Sequence, residues 1–393
     1  MSARAAARLR AGHPWVYRSD LAGEAKAPAG ALVLVNEARS GGAPGKPLGS
    51  ALYSSSSQIA LRMVSPRPLA GREDLLQLVR ERVRAALDYR KQVAKDSDAY
   101  RLVFSEADLL PGLIADRYHD ILTVQALTQA MDAEDLRAAV MDELVAQTGV
   151  ANVVERVEPR IRELEALPPK ESGLLRGVKT ETEFTLHGVK FGYQALGGQK
   201  TGAFLDQREN YAAAARYARG RALDVFCYEG GFALHLARVC DSVTGVDSSR
   251  PALEAAERNQ ERNAPRIPEI EWLEANAFDL LKDYSSAREQ YDTIVLDPPA
   301  FAKSKKNLET ALRGYKELNL RALKMLRPGG TLVTCSCSHH VSEPDFLAML
   351  ASAAADANRQ LRVLEKRGAA QDHPVLLSVP ETQYLKCVVA TAL

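Results

Sequence analysis

Two cysteines end an apolar run in the stretch TLVTCSCSHH, residues 331–340. Residues of these types could form a metal site, a buried thiol pair or a catalytic nucleophile. Structural zinc needs four ligands in a tetrahedral array, and C-x-C-x-H-H is too compact to supply them. The sequence contains no second cysteine or histidine cluster that would complete such a site. We therefore expect no metal.

The second cysteine of this pair is the better candidate for a nucleophile. Cys335 and Cys337 share a face on a continuous strand, but Cys337 lies further out, where the strand ends. A free thiol is only slightly ionised at neutral pH, so the site must favour the thiolate. A helix beginning at S342-E-P-D345 is one possible source of that help. Burial is the usual fate of cysteine, and we expect it for Cys227, Cys240, Cys335 and Cys387.

A thiol in this position suits methylation of cytosine at C5. That carbon is a poor nucleophile in the intact ring, but a thiolate that adds at C6 makes an enamine whose C5 can attack a methyl donor. Asp297, which follows the buried strand TIVL, is suited to stabilising the adduct at N3 and at the exocyclic amine. The sequence does not identify the base that removes the C5 proton.

The loop DPPAF, residues 297–301, contains two prolines that restrict its backbone. Such a rigid turn can hold the Asp297 carboxylate and the Pro298 carbonyl against the planar edge of a base, and Phe301 can stack on a ring. Three lysines follow in FAKSKKN. Beside a base-binding loop they would contact phosphates, although a solvated loop is almost as good an interpretation. These residues are Lys303, Lys305 and Lys306.

The methyl donor is indicated by two earlier strand ends. Gly230 and Gly231, in DVFCYEGGF, lie between a strand and a helix, where the backbone can approach a ligand closely. Asp247 ends the next strand and can accept both hydroxyls of a ribose, with simple capping of the next helix as the alternative. The glycines do not match G-x-G-x-x-G, the spacing of a pyrophosphate site. S-adenosylmethionine therefore fits better than NAD.

Strict alternation of strands and helices from about residue 197 predicts a parallel, doubly wound sheet, whose ligands bind beyond the carboxyl ends of the strands. Ser248 or Ser249 is expected to cap the helix after Asp247, with Pro251 in its first turn. PVLLSVP and QYLKCVVATAL follow without a helix between them, so the last strand must run antiparallel. The predicted strands before them are RALDVFCY, DSVTGVD, IEWLEANAF, YDTIVLDPP and GGTLVTCS, and the predicted helices are GFALHLARV, RPALEAAERNQERN, KNLETALRGYKELNLRALKML and EPDFLAMLASAAADA.

The first 68 residues differ from the rest in charge. They carry nine Lys and Arg against three acids, whereas the remainder has 42 basic and 47 acidic residues. A basic unit is typical of a polyanion-binding module, with a solvated basic surface as the equal alternative. Its predicted strands are ALVLVNEA, SALYSSSS and QIALRMVS, with SGGAPGKPLG as a loop. Residues 70–190 are expected to form a small α+β domain that includes a helix ending at Gly149 and a hairpin, ETEFTLHGVKFGYQ.

Cysteine content and hydropathy restrict the location of the protein. Five scattered cysteines form no disulfide framework and, without a signal peptide, imply a reducing cytoplasm. No apolar run approaches the length needed to cross a bilayer, so we expect no membrane partner.

Nearly end to end, these motifs resemble the bacterial family of large-subunit ribosomal RNA cytosine-C5 methyltransferases that carry an N-terminal PUA domain. RAGHPWVYRSDL is similar to the start of the PUA domain in that family, and SEADLLPGLIADRY to its central domain. GGQKTGAFLDQREN is similar to the entry of the methyltransferase domain. DVFCYEGGF, VDSS, DPPAFAKSK and CSCS follow in the order of the family.

The resemblance implies an α/β fold in which a PUA-like β-barrel (1–69) and a small α+β domain (70–190) precede a class I methyltransferase domain (191–393). The latter would be Rossmann-like, with a mostly parallel sheet and an antiparallel last strand. The cofactor would be S-adenosylmethionine and the partner large-subunit ribosomal RNA; a homodimer is left open. Cys337 matches the nucleophile of the family, and Asp297 its base-binding motif.

The resemblance also suggests the residues that hold the ligands. Asp206 and Arg208 belong to the entry motif, and Asn276 stands where an aspartate commonly accepts from the adenine amino group; its amide oxygen can accept the same bond. The donor-binding candidates are Lys200, Thr201, Asp224, Phe226, Tyr228, Gly230, Gly231, Phe232, Asp247, Ser248, Asn276, Ala277, Asp297 and Pro298, and the substrate-binding candidates are Pro299, Phe301, Lys303, Lys305 and Lys306.

Three other functions are weighed against cytosine methylation. An N6-adenine methyltransferase would also use DPP with an aromatic residue, but it needs no thiol, and Phe301 comes one residue later than in D-P-P-Y. An inactive RNA-binding assembly protein would not need intact motifs. An NAD-linked oxidoreductase is disfavoured by the missing G-x-G-x-x-G. Some RNA cytosine methyltransferases carry a second cysteine after the proline of this loop, but here Ala300 follows the prolines. The group that removes the C5 proton is therefore not such a thiol.

Overall fold

The computed structural model describes residues 1–23, 27–38, 44–197, 203–302 and 304–393. The chain divides into two compact units. Unit 1 comprises Met1–Phe184, Tyr193–Ala203 and Gln371–Thr382, and unit 2 comprises Thr185–Gly192, Phe204–Ala370 and Gln383–Leu393. The division into three domains at residues 69 and 190 stays a prediction.

Unit 1 begins with a helix and a four-stranded antiparallel sheet of order β1-β4-β3-β2. The elements are α1 (Ala3–Arg10), β1 (Trp15–Tyr17), β2 (Leu32–Ala38), β3 (Pro44–Tyr53) and β4 (Ile59–Ser65). The three predicted strands are present. The prediction of SGGAPGKPLG as a loop is wrong for its second half, because β3 already begins at Pro44. Prolines are tolerated here because β4 pairs with β3 only from Ser50 onward, which leaves the first half of β3 at an edge.

The rest of unit 1 contains a five-stranded sheet of order β5-β6-β7-β8-β9, in which only β7 and β8 are parallel. Helix α3 ends as predicted at Gly149, whose φ of 69° closes the last turn. The short strand β9 is not among the elements predicted from the sequence. The elements are α2 (Arg72–Val93), β5 (Ala99–Phe104), β6 (Leu113–Tyr118), β7 (Ile121–Ala126), α3 (Glu134–Thr148), β8 (Asn152–Glu155), α4 (Pro159–Leu164) and β9 (Gly173–Arg176).

The predicted hairpin is also present, as β10 (Glu181–Leu186) and β11 (Val189–Gln194). Its residues are divided between the two units.

Unit 2 is built on a seven-stranded sheet of order β14-β13-β12-β15-β16-β18-β17, in which β18 is antiparallel to both of its neighbours. The predicted fold class is therefore confirmed, including the antiparallel last strand. The elements are α5 (Arg208–Tyr217), β12 (Arg221–Val225), α6 (Gly231–Leu236), β13 (Ser242–Asp247), α7 (Arg250–Asn263), β14 (Glu271–Glu274), α8 (Ala277–Ser286), β15 (Tyr291–Leu296), α9 (Leu308–Met325), β16 (Leu326–Ser336), α10 (Glu343–Asp356), β17 (Leu361–Arg367) and β18 (Lys386–Ala392).

Two elements at the end of the sheet differ from those predicted. PVLLSVP, residues 374–380, is not a strand: it is folded into turns, and its Leu377 side chain is 93% exposed. The strand before β18 is instead β17, LRVLEKR, most of whose side chains are exposed or half-buried. A charged edge strand carries no hydrophobic signal, whereas an exposed loop can be apolar by chance.

The order of the strands places the binding edge. On one side of the sheet the strands follow outward as β12, β13 and β14, and on the other side β16 follows β15, so the strand order reverses between the adjacent strands β12 and β15. Ligands of open α/β sheets bind at such a reversal, beyond the carboxyl ends. Within the described parts of the chain, no helix is long and apolar enough to cross a membrane.

Candidate active site

Asp224 lies in β12 at the reversal of strand order and is completely buried. Its Oδ2 accepts a hydrogen bond from the N–H of Ala233 in α6, at 2.8 Å. Its Oδ1 has no hydrogen-bond partner among the described residues. Burial raises the pKa of Asp224 well above its ordinary value, and the negative charges of Asp297 and Asp247 raise it further.

These three carboxylates, Asp224, Asp247 and Asp297, form what we call the acidic edge of the sheet. Each comes from a different strand or strand end, and the backbone brings two of them together: the N–H of Asp297 donates to the carbonyl of Val225 at the end of β12, at 3.3 Å. Mutual repulsion between acids in a buried site is relieved by a cation. The acidic edge is therefore suited to a positively charged ligand.

The Asp247 carboxylate joins two loops. Its Oδ2 accepts from the N–H of Tyr228 at 3.0 Å and its Oδ1 from the N–H of Ser249 at 2.9 Å. Each carboxylate oxygen can accept a further bond, as the predicted contact with a ribose requires. Ser249 caps α7 by accepting from the N–H of Ala252, and Pro251 lies in the first turn, both as predicted. Ser248 is exposed.

Gly230 and Gly231 stand where larger residues would not fit. Gly230, at a φ of 86°, precedes the first turn of α6, and a Cβ there would lie 2.9 Å from the Trp272 ring. A Cβ on Gly231 would lie 2.5 Å from Cζ of Tyr211. The two glycines therefore let the β12–α6 loop pass close to two aromatic rings, and an added Cβ at either position would force the ring or the loop to shift.

Three aromatic candidates of this loop differ in their surroundings. Phe226 and Tyr228 adopt positive φ angles of 68° and 51°. Such angles are uncommon for aromatic residues and cluster at ligand-binding loops. Tyr228 packs edge-on against Phe204, with 5.1 Å between ring centroids. Phe232 is buried in α6 and packs against Tyr211, which indicates a structural contact.

Asn276 caps α8, a helix for which the sequence analysis predicted none. Its Oδ1 accepts from the N–H groups of Phe278 at 2.9 Å and Asp279 at 3.4 Å. Ala277 is buried in the first turn, and the half-exposed Phe278 ring lies 6.0 Å from Phe301. In this structure the Asn276 amide oxygen accepts hydrogen bonds from the two N–H groups at the start of α8. The contact of Asn276 with adenine stays a prediction.

The Asp297 carboxylate is oriented by two buried amides that the sequence analysis did not single out. Gln207 Nε2 donates to Asp297 Oδ2 at 2.9 Å, and Asn210 Nδ2 donates to Gln207 Oε1 at 2.6 Å. Both belong to the entry stretch LDQREN, from which only Asp206 and Arg208 were selected. Arg208 is completely buried and pairs with Glu209, and Asp206 accepts from the Tyr384 hydroxyl.

The DPPAF loop reaches the cysteine at the end of β16. Cys337 Sγ lies 3.9 Å from the carbonyl oxygen of Pro298, to which the thiol donates. Pro298 is buried and Pro299 is exposed. Phe301 packs against Tyr315 with 4.7 Å between ring centroids, so one side of its ring is already covered.

The cysteines separate as predicted. All five are free thiols, and only Cys337 is half-buried, while the others, Cys227, Cys240, Cys335 and Cys387, are buried. Cys335 lies directly opposite Cys387 on β18, and burial together with that neighbour raises its pKa well above the ordinary value. A buried, neutral thiol is a poor nucleophile, so Cys337 is the reactive candidate.

Four predicted site residues have no described side chain, and a fifth is at the surface. Lys200, Thr201 and Lys303 lie outside the described residues, as does the Lys305 side chain. Lys306 is exposed, as expected for a phosphate contact or for a solvated loop. Within the described ranges, no group of three or more His, Cys, Asp or Glu side chains could hold a metal ion.

Comparison with protein families identifies two segments. Residues 110–382 match the S-adenosylmethionine-dependent methyltransferase family, and residues 1–66 match the PUA-like domain. The first match covers more than half of the chain and includes the acidic edge and Cys337.

Relatives align over almost the whole chain. The ribosomal RNA large subunit methyltransferase I of Photobacterium profundum is 36% identical over 388 residues, covering 96% of this chain and 95% of the relative. The ribosomal RNA large subunit methyltransferase I of Erwinia tasmaniensis is 37% identical, and the alignment covers 95% of this chain and 94% of the relative. The crystal structure of SMU.776, a proposed methyltransferase complexed with SAH, superposes with a TM-score of 0.82 at 18% identity, covering 99% of this chain and 98% of that one. This likeness supports the fold.

The residues at the strand ends fit the donor of this family. S-adenosylmethionine carries an ammonium and a sulfonium, and the acidic edge offers three carboxylates, one with the unpartnered buried oxygen of Asp224. The chain uses S-adenosylmethionine, and it belongs to the family of PUA-containing S-adenosylmethionine-dependent methyltransferases that includes the ribosomal RNA large subunit methyltransferases I.

Proposed function

We propose that this protein methylates C5 of a cytosine in large-subunit ribosomal RNA, with Cys337 as the covalent nucleophile. The substrate class is supported by relatives that are named for methylation of this RNA and align with 95% or more of the chain. The basic charge of residues 1–68 and the exposed Lys306 support contacts with phosphates.

The observation that carries the proposal is the position of Cys337. Of the five cysteines it alone is not buried, and its thiol donates to the Pro298 carbonyl. This contact links the thiol to the loop that begins with Asp297, whose carboxylate is held by Gln207. A nucleophile and a base-orienting acid on neighbouring strands are the arrangement that attack at C6 requires.

The proposed chemistry begins with addition of the Cys337 thiolate to C6. A carbon–sulfur bond forms, the C5–C6 double bond is lost, and its electrons shift so that N3 takes up a proton and C4–C5 becomes the double bond of an enamine. Asp297 holds N3 and the exocyclic amine of the adduct, and Gln207 keeps that carboxylate in position. S-adenosylmethionine, when bound, supplies an electrophilic methyl group. After C5 is methylated, a base takes the C5 proton, the double bond re-forms and the thiolate leaves.

The proposal is tested by methylation of ribosomal RNA that lacks modifications, with radiolabelled S-adenosylmethionine. We expect the label in 5-methylcytosine and a loss of activity of roughly a thousandfold or more in Cys337→Ala, because a covalent nucleophile has no substitute. Cys335→Ala is the matched control, since it removes a thiol two residues away that is completely buried. It should keep activity.

Two results would contradict this function. Label in adenine or guanine would change the target base, and full activity of Cys337→Ala would exclude the covalent mechanism. The domain boundaries at 69 and 190, a homodimer and the reducing cytoplasm also stay predictions; the five free thiols are compatible with the last.

A further inference from the structure

Lys386, at the start of β18, is a buried amine behind the catalytic candidate. It lies opposite Ser336 in the pairing of β18 with β16, and it is only 6% exposed. Its ammonium donates to the carbonyl oxygens of Ser338, at 2.7 Å, and of Tyr384, at 2.8 Å. Among the residues that the structure describes, no carboxylate forms an ion pair with it. Buried lysines without an acidic partner are uncommon and call for an explanation.

The electrostatic surroundings point to Cys337 as that explanation. Burial lowers the pKa of Lys386 to about 8, and the negative charge of a Cys337 thiolate raises it again. The interaction is mutual, because an ammonium that is stabilised by a thiolate stabilises that thiolate equally. The carbonyl that Lys386 holds belongs to Ser338, the residue next to Cys337.

We propose that Lys386 is a positioning residue that holds the loop after β16 and supplies the positive charge that keeps Cys337 as a thiolate. The inference rests on the proposed function, which requires a thiolate nucleophile. Lys386 acts from behind the loop: its two carbonyl contacts fix the backbone, and its charge acts on the sulfur.

The other titratable groups around this loop do not offer an equivalent charge. The Tyr315 hydroxyl from α9 bonds to the Ser338 hydroxyl at 2.9 Å, and burial raises its pKa. The His339 ring lies 5.8 Å from that of Tyr384. The remaining groups on the surrounding elements are thiols, acids and a second histidine: Cys335, Cys387, Asp206, Asp297, Glu343, Asp345 and His340. Lys386 is therefore the amine that the fold brings to this thiol.

The test is the rate at which iodoacetamide alkylates Cys337 between about pH 6 and about pH 9, measured by peptide mass spectrometry on the full chain without RNA. Lys386→Met and Lys386→Gln should slow alkylation at neutral pH by about tenfold, because loss of the charge lowers the thiolate fraction. Lys386→Arg keeps the charge and should stay within about threefold of wild type.

The matched control is Lys366→Met. Lys366 lies on the neighbouring strand β17, its side chain is 53% exposed, and it pairs with Glu343. Its loss should leave alkylation of Cys337 unchanged. The four buried cysteines report the fold, because they should stay unreactive in every variant that folds. If the buried cysteines become reactive in Lys386→Met, that variant is misfolded and the comparison rests on Lys386→Gln and Lys386→Arg. Glutamine keeps an N–H donor for the Ser338 or the Tyr384 carbonyl.

Two outcomes would overturn the inference: neutral variants that react as fast as wild type, or an arginine variant as slow as the glutamine variant. The first removes the role of the lysine, and the second removes the role of its charge. Alkylation needs neither RNA nor methyl donor. If no 5-methylcytosine formed, the alkylation rates would still test the role of Lys386. Conversely, if the neutral Lys386 variants were alkylated as fast as wild type, the role of Lys386 would fail while methylation of cytosine could still stand.

Discussion

Two edges of the same sheet carry opposite charge. The acidic edge gathers three carboxylates, Asp224, Asp247 and Asp297, and burial, together with the charges of the other two, raises the pKa of Asp224 well above its ordinary value. The thiol edge, which we define as Cys337, Ser338 and Lys386, instead places a buried ammonium on the carbonyl oxygen of Ser338, the residue next to the half-buried Cys337. The first edge suits a cationic methyl donor, and the second suits an anionic nucleophile.

The difference shows how one sheet can bind a cationic methyl donor and also stabilise an anionic thiolate. A carboxylate in direct contact with Cys337 would oppose thiolate formation, and a lysine within the acidic edge would compete with the donor. Asp297 is the residue between the two edges. Its Oδ2 accepts a hydrogen bond from the Gln207 side chain, which orients the carboxylate.

Gly231→Ala should break the acidic edge most severely. The new Cβ would lie 2.5 Å from Cζ of Tyr211, so either the buried Tyr211 ring or α6 and the loop before it must shift. We expect the affinity for S-adenosylmethionine to fall by about a hundredfold or more, measured by calorimetry. Gly173→Ala is the control, because nothing lies within 4 Å of its added Cβ. Unchanged affinity in Gly231→Ala would mean that the loop does not contact the donor.

Asp247→Ala should weaken donor binding by roughly ten- to a hundredfold, which is a smaller effect because the helix remains in place. The substitution removes the acceptor of the Tyr228 and Ser249 N–H groups as well as the proposed contact with ribose. Asp241→Ala, an exposed acid just before the same strand, is the matched control. Equal affinities of the two variants would limit Asp247 to capping.

The acidic edge should also make stability depend on pH. The pKa of Asp224 is raised in the folded chain, so the folded state binds a proton more tightly than the unfolded state does. The free energy of unfolding should therefore fall as the pH rises from 3.8, the ordinary value, through the raised pKa. Asp224→Asn should remove this decline, because it is uncharged at every pH.

This prediction is measured by urea unfolding without donor at about pH 5 and about pH 8. Asp224→Asn should gain about 1 kcal/mol relative to wild type at the higher pH, while it binds S-adenosylmethionine more weakly. Saturating donor should reduce the dependence of the wild type on pH, since a bound cation favours the charged carboxylate. An identical pH dependence of the two proteins would contradict the electrostatic account.

Lys306→Ala should leave both edges intact and change only the binding of RNA. Each phosphate contact contributes about 0.7 to 0.9 to the slope of log affinity against log salt. We expect the slope to become shallower by about that amount in filter binding to ribosomal RNA. Lys324→Ala, an exposed lysine in the last turn of α9, is the control. Equal slopes would assign Lys306 to a solvated loop.

Much of the fold could be predicted because its signals are local. Alternating strands and helices, the glycine that ends α3 and the proline in the first turn of α7 act within a few residues. The missed elements lack such signals. Helix α8 begins with the cap Asn276 directly after a strand, and β17 is a charged edge strand that becomes a strand only by pairing with β18.

By itself the sequence determined the kinds of chemical group: a thiol at a strand end, acids after buried strands and glycines before a helix. Only the tertiary structure decided which of these groups meet. Gln207 lies 90 residues before Asp297, and Lys386 lies 49 residues after Cys337. Neither residue belongs to a sequence pattern that would predict its role. Their roles depend on burial and on charges brought close by the sheet, and both arise from long-range packing that a local pattern does not encode.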